Sequence, residues 1–396
     1  MPSTFGFKAS RREFLSALGI AGGALCTGLE RILIPAPAHS QNADPFATGE
    51  FLGAVPFARE RRVEMGVLQG RELDGRLHTD LSALQPGSRI TPADRFYVRT
   101  AASELLDSEN FRSIELHGLT GEPIRLSADD LAHKSQPMGA HLMECAGNTR
   151  EGLFGLISVA EWTGVPLLDI LDRLPSQPAD SRILVSGFDR YASPSATSVP
   201  GASWIFSRAE IERARPFLAV EMNGKPLIRD HGAPVRLVVP GWYGCTCIKW
   251  VNEIRAVASD AEITSQMREF ALRTHQNGMP ELARAYEPAL IDQAALPIRV
   301  EKWRLKNGIT YRVVGILWGG STLVTRLEIR FNPEENYVPV DNLDQKTNDP
   351  WSFWSHAWRP AAAGTYLLRL RVAEPVVRTR RLDMGFYVRA VDITEV

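Results

Sequence analysis

The run Glu144-Cys145-Ala146-Gly147-Asn148-Thr149-Arg150 carries the sharpest chemistry in the chain. It follows an apolar stretch, Ala140-His141-Leu142-Met143, so Cys145 is expected at a strand end with Gly147 opening a turn. A thiolate beside Arg150 would have a lowered pKa, because a nearby cation favours the charged form. Such a thiolate suits a nucleophile or a ligand for a soft metal, and the residues alone leave both open. The other cysteines are Cys26, Cys245 and Cys247. Cys245 and Cys247 are too close for a relaxed disulfide, and C-x-C with one distant cysteine is not a zinc spacing. No C-x-x-C-H occurs, so the chain attaches no c-type haem itself.

The elements that must position these residues are mixed. Ser113–Gly118 and Ile183–Gly187 read as strands, and Pro234–Pro240 as a buried strand bounded by prolines. Ala160–Leu174 has helical spacing, with Pro166 in its first turn. Residues 261–297 read as a helix followed by an irregular connection. From about 298 the period becomes two. Leu327, Ile329 and Phe331 face one way, and Arg326, Glu328 and Arg330 the other; Tyr366, Leu368, Leu370 and Val372 alternate with Leu367, Arg369 and Arg371. Trp351, Trp354 and Trp358 lie in the connection and are expected to pack as aromatic area. The sequence thus predicts an α+β part followed by a β-sandwich.

The N-terminus reads as an address. Arg11-Arg12 precede Phe14-Leu15, a weakly polar run follows over Leu15–Leu29, and Ala36-Pro37-Ala38 makes an A-x-A cleavage site. The paired arginines predict twin-arginine export, folded, to the periplasm. The apolar run is shorter than the roughly 20 residues a spanning helix needs, so no membrane span is expected after cleavage. Twin-arginine cargo often carries a complex cofactor. Residues 39–90 read as a polar, wrapping N-terminal extension.

The charge is balanced, 45 Lys+Arg against 46 Asp+Glu over 396 residues. Removing residues 1–38 takes four basic and two acidic residues and leaves −3. That excludes the basic excess of a nucleic-acid binder. With 44% hydrophobic and 23% charged residues, the composition is that of a globular protein large enough to need no disulfide staples.

Several long motifs, in order, resemble the sulfite oxidase family of molybdenum enzymes. They are Phe96-Tyr97-Val98-Arg99, the Cys145 segment, Trp162-Thr163-Gly164-Val165-Pro166-Leu167, the stretch Glu221–Gly241, Tyr243-Gly244, and Cys247-Ile248-Lys249-Trp250. The resemblance implies a sulfite-oxidase-like molybdopterin-binding domain over 91–297, and an immunoglobulin-like β-sandwich dimerisation domain over 298–396 with a possible homodimer. It implies a molybdenum–molybdopterin cofactor, one per chain, whose metal is ligated by Cys145. Tyr97, Arg99, Asp189, His231, Arg236, Cys247, Ile248 and Lys249 fall where the family binds that cofactor. Soft thiolate suits the metal, the pterin phosphate wants cationic donors, and Arg236 in an apolar strand would be expensive to bury without an anionic partner. Arg99, Cys145 and Arg150 are implied as catalytic, the two arginines lining a pocket for a small anionic sulfur substrate.

The resemblance further implies oxygen-atom transfer to sulfite or a related small sulfur compound. With no haem domain in the chain, electrons would pass to a separate c-type cytochrome. Two departures bear on substrate. Aligning Ser265–Ala271 places Phe270 where the family carries a tyrosine, and Thr100-Ala101 replace the Asn-His after the F-x-R arginine. Tyr243, His275 or Tyr286 are candidates to supply the missing hydroxyl or ring. The alternative is a molybdenum-dependent reductase of sulfoxides or other S- or N-oxides.

Overall fold

Strand Ile157–Pro166 organises the sheet that bears Cys145. It pairs antiparallel with Gln136–Glu144 on one side and Phe217–Met222 on the other, and Phe217–Met222 pairs in turn with Arg236–Val238 and Lys225–Pro226. The computed structural model describes residues 44–106, 113–174, 178–195, 198–344, 350–374, 377 and 379–396. The expected export signal at 1–38 lies outside them.

The sequence predicted a helix over 160–174. Instead the strand runs through Pro166 and only Leu167–Leu171 is helical. A short apolar run satisfies both periods. Flanking strands on both edges settle it, because their ladders pair the backbone of Val159, Thr163 and Val165.

A second sheet runs in the order Ser203–Phe206, Arg182–Gly187, Val251–Val257, Ile114–His117, Ile124–Leu126, and is antiparallel except where Val251–Val257 meets Ile114–His117. The expected strands exist: 113–118 and 234–240 within the shorter bounds Ile114–His117 and Arg236–Val238, and 183–187 one residue longer, as Arg182–Gly187. Helices Ala128–Lys134 and Arg208–Ala214 start at capping boxes built by Ser127 with Asp130 and Ser207 with Glu210. The helix expected after 261 is confined to Ser265–Phe270, capped by Thr264.

Beside a two-stranded sheet, Arg76–Leu77 with Val98–Arg99, stand two further antiparallel five-stranded sheets. One orders Glu50–Val55, Ala294–Leu305, Gly308–Trp318, Ser352–Trp358, Asn342–Asp344; the other Val338–Pro339, Leu327–Arg330, Gly364–Val372, Arg389–Ile393, Phe57–Ala58. The wrapping extension thus donates an edge strand to each. Trp354 and Trp358 belong to a strand rather than a connection, and both are buried, as is Trp351. The alternation in Gly364–Val372 is as predicted. Glu328 departs from it: it is buried, and Arg326 and Arg371 ion-pair with its two oxygens at 2.7 Å each. Pairing is what makes a buried carboxylate tolerable. Residues 48–396 form one compact unit, and one cluster of buried apolar side chains runs from Leu81 to Ile393.

Candidate active site

Cys145 follows directly on strand Gln136–Glu144 and is buried in the wall of a pocket of about 790 Å³, its open mouth included. Its backbone N–H donates to Leu156 at 2.9 Å and its carbonyl accepts from Asn148 at 2.9 Å, which makes the expected turn. The Gly147 N–H points at Sγ, 3.3 Å away. Burial nevertheless pushes the thiol above its ordinary value, against the opposing pull of Arg99, the Gly147 N–H, Arg76 and Arg273. The sequence predicted a lowered value from Arg150, and both halves of that expectation fail. Arg150 opens the turn Arg150–Gly152 and donates Nη1 to the Gly385 carbonyl at 3.2 Å, so its guanidinium is engaged away from the thiol.

The other nine predicted residues share that pocket: Cys145 itself, Tyr97, Arg99, Asp189, His231, Arg236, Cys247, Ile248 and Lys249. Arg236 stands on strand Arg236–Val238 with its side chain buried. Its Nη1 donates to the His231 carbonyl at 3.1 Å, and Nη2 to Met143 Sδ at 3.1 Å and the Cys247 carbonyl at 3.4 Å. Its Nε has no partner. Lys249 Nζ donates to the carbonyls of Asp230 (2.9 Å) and Thr100 and lies 4.4 Å from the Trp250 ring centroid. Burial, then Arg236, draws its pKa down to about 7. His231 Nε2 meets the Ala93 carbonyl at 2.9 Å, and burial lowers its pKa to about 4. Gly232 brings these three together: its φ is 100°, and a Cβ there would lie 3.0 Å from the Cβ atoms of both Arg236 and Lys249.

Asp189 acts on the wall itself. Its two oxygens accept from the Gly201 and Ala202 N–H groups at 2.9 and 3.0 Å and pin that loop. Cys247 Sγ accepts from Val239 N–H at 3.4 Å, and the Ile248 carbonyl from Leu237 N–H at 2.7 Å. Tyr97 is buried on the wall and Gly244 makes room for it, since a Cβ on Gly244 would come within 2.5 Å of the phenol oxygen. Phe270 lines the pocket, with Arg273 Cζ 5.6 Å from its ring centroid. The proposed substitutes are engaged elsewhere. Tyr243 OH accepts from Arg380 at 3.0 Å, Tyr286 OH donates to Met267 O at 3.0 Å, and His275 pairs with Asp292 at 3.1 Å.

Behind Cys145 lies an ion pair that sequence reasoning missed. Arg380 donates Nη1 and Nη2 to the two oxygens of Glu144, at 2.8 and 2.7 Å, and reaches Tyr387 OH at 2.9 Å. Trp318 Nε1 donates to the same carboxylate at 2.9 Å. Burial alone would lower the Arg380 pKa, but Glu144 holds it well above its ordinary value.

These residues fit a molybdenum–molybdopterin group. A soft thiolate sits in the wall, and a buried guanidinium presents an unpartnered N–H where an anion would complete it. Lys249 and His231 lie beside it. A thiol that coordinates metal gives up its proton whatever burial does to the free group.

The comparisons agree. The family described as oxidoreductase molybdopterin binding domain matches residues 101–264. Mitochondrial sulfite oxidase of Homo sapiens is 29% identical over 295 residues, covering 68% of this chain and 52% of the relative. Nitrate reductase [NADH] 1 of Oryza sativa subsp. japonica is 27% identical over 326 residues, covering 69% and 34%. The chain spans about half the length of the sulfite oxidases it matches. The crystal structure of the sulfane dehydrogenase SoxCD from Paracoccus pantotrophus shares the fold, with a TM-score of 0.61 at 18% identity over 91% of this chain and 100% of that one. With Cys145, His231, Arg236 and Lys249 in the matched region, the chain is a molybdopterin-binding oxidoreductase similar to the sulfite oxidases.

Proposed function

We propose that the chain oxidises a small anionic sulfur compound, sulfite or a related species, and passes the electrons singly to a separate c-type cytochrome. Bound at Cys145, the molybdenum–molybdopterin group supplies two-electron redox chemistry and oxygen-atom transfer. The residues of the chain do the rest. Cys145 holds the metal, Arg236 and Lys249 neutralise the anionic end of the pterin with the neutral His231 beside them, and the buried wall of Phe96, Tyr97 and Phe270 excludes water. Arg99 carries the reading. It lines both the cofactor pocket and a neighbouring cationic basin, with Nη1 fixed on the Leu73 carbonyl at 2.9 Å. A planar guanidinium placed there orients an oxyanion by paired hydrogen bonds. Over the whole reaction sulfite gains one oxygen from water and releases two electrons and two protons.

The test is cytochrome c reduction by sulfite on molybdenum-loaded protein, set against viologen-driven reduction of sulfoxides. Sulfite-dependent reduction supports the reading, and its absence refutes it. Phe270 favours the second reading, a reductase of sulfoxides or other S- or N-oxides, because the wall carries a phenyl ring where sulfite chemistry in the family uses a hydroxyl. We also propose twin-arginine export to the periplasm through Arg11-Arg12, a molybdopterin-binding domain over 91–297, and an immunoglobulin-like dimerisation domain over 298–396. Fractionation of an Arg11→Lys/Arg12→Lys variant and light scattering of the mature protein test export and dimerisation.

A further inference from the structure

The basin beside the cofactor pocket holds about 1570 Å³ to its open mouth. Its floor includes Ala146, Gly147 and Asn148, the turn that follows Cys145. Two of its cations are held rigidly. Arg76 and Arg99 are register partners across the two-stranded sheet Arg76–Leu77/Val98–Arg99, and both donate Nη1 to the same Leu73 carbonyl, at 2.8 and 2.9 Å. Apart from the cost of burial, Arg99 is the main influence drawing the Arg76 pKa down to about 10, so the two guanidiniums repel each other where they stand. An anion between them relieves that repulsion. Arg273 joins them on the basin wall and, with them, acts on Cys145.

Sulfite needs only this inner group. A compact oxyanion fills the room of a few waters, each about 30 Å³ in the liquid, and leaves most of the basin empty. The same wall carries Arg61 and Arg62, both exposed, against the two carboxylates Glu64 and Glu151. Arg61, Arg62, Arg76, Arg99 and Arg273 all lie outside 101–264, the region that matches the molybdopterin-binding family, so the basin's arginines come from the flanking segments while its floor comes from the matched region.

We propose that the basin is a two-point anion site. The guanidiniums of Arg76, Arg99 and Arg273 take the sulfur-bearing end of the substrate, and Arg61 and Arg62 take a second anionic group on the same molecule. The substrate class is then a multiply charged sulfur compound longer than sulfite. This rests on the reading of an anionic sulfur substrate at the same centre, and it needs no turnover to be tested.

The experiment is calorimetric titration of the molybdenum-loaded protein with butane-1,4-disulfonate and with butane-1-sulfonate, at matched ionic strength. Their equal alkyl length cancels apolar burial. The disulfonate should bind at least tenfold more tightly, about 1.4 kcal/mol, and an Arg61→Ser/Arg62→Ser variant should bring the ratio of the two affinities to within about twofold of one. Equal affinities in the parent protein, or a tenfold ratio that survives in the variant, would overturn the proposal. A protein that fails to oxidise sulfite yet shows the ratio and its loss would refute the activity and leave the two-point site standing.

Discussion

Replacing Arg380 by methionine removes one half of a largely desolvated ion pair and leaves the other half in place. The side chains of Arg380 and Glu144 are 12% and 2% exposed, so water cannot take over the role of the guanidinium. Stranding a buried charge in this way costs about 3–5 kcal/mol. Unfolding entropy is about 2.1 cal/mol/K per residue, which over a unit of roughly 350 residues is about 0.7 kcal/mol/K. Thermal unfolding of Arg380→Met should therefore begin about 4–7 °C lower, measured at one protein concentration and one state of cofactor loading. Glu144→Gln in the same chain removes the stranded charge, and its carbonyl oxygen can still accept from Trp318 Nε1. The double variant should then recover at least half of the loss. A shift below 2 °C in the single variant, or a double variant that simply adds the two losses, would refute the view that the pair is a closed, coupled unit.

Cys145→Ser should lose bound molybdenum together with activity, because a hydroxyl is a poor ligand for a soft metal; elemental analysis showing stoichiometric metal would overturn the assignment. Phe270→Tyr should raise sulfite turnover by several-fold, and an unchanged rate would point to another substrate or donor. In the protein without its cofactor, His231 releases its proton at about 4, against about 6.5 in the unfolded chain. Protons are then taken up by the unfolded state as pH falls from about 6.5 to about 4, so stability should drop over that window by up to on the order of 3 kcal/mol and level off below it. A His231→Gln variant should show a shallower decline; parallel melting curves against pH would exclude the effect.

The parts of the molecule legible in its sequence are those whose signal is local. The alternation of Gly364–Val372 belongs to a strand with one face buried, and the residues that share the Cys145 pocket lie in contiguous motifs. Non-local partnerships were not legible. Arg76 reads as one polar residue in an extension until register sets it beside Arg99, and nothing near Glu144 announces Arg380, 236 positions away. Arg150 misled because five residues of sequence separation say nothing about direction, and the turn it opens aims its guanidinium at Gly385. The Ala160–Leu174 helix failed for a related reason: an apolar run of that length is decided by the strands beside it, not by its own periodicity.

The edge strands Glu50–Val55 and Phe57–Ala58 also constrain how the molecule is made. Phe57 must wait for Val391, and Glu50 for Arg304. At roughly 5–20 residues per second, the roughly 330 residues between Phe57 and Val391 take tens of seconds to emerge, and the early segment stays unpaired for that time. Closure of both sheets is therefore a late event of high contact order, locked when Arg389 Nε meets Glu60 at 2.7 Å. A chain interrupted between these partners leaves two open sheet edges, the feature most prone to aggregation. Completing the fold thus doubles as a check that the intervening segment, with every residue lining the Cys145 pocket, has been synthesised.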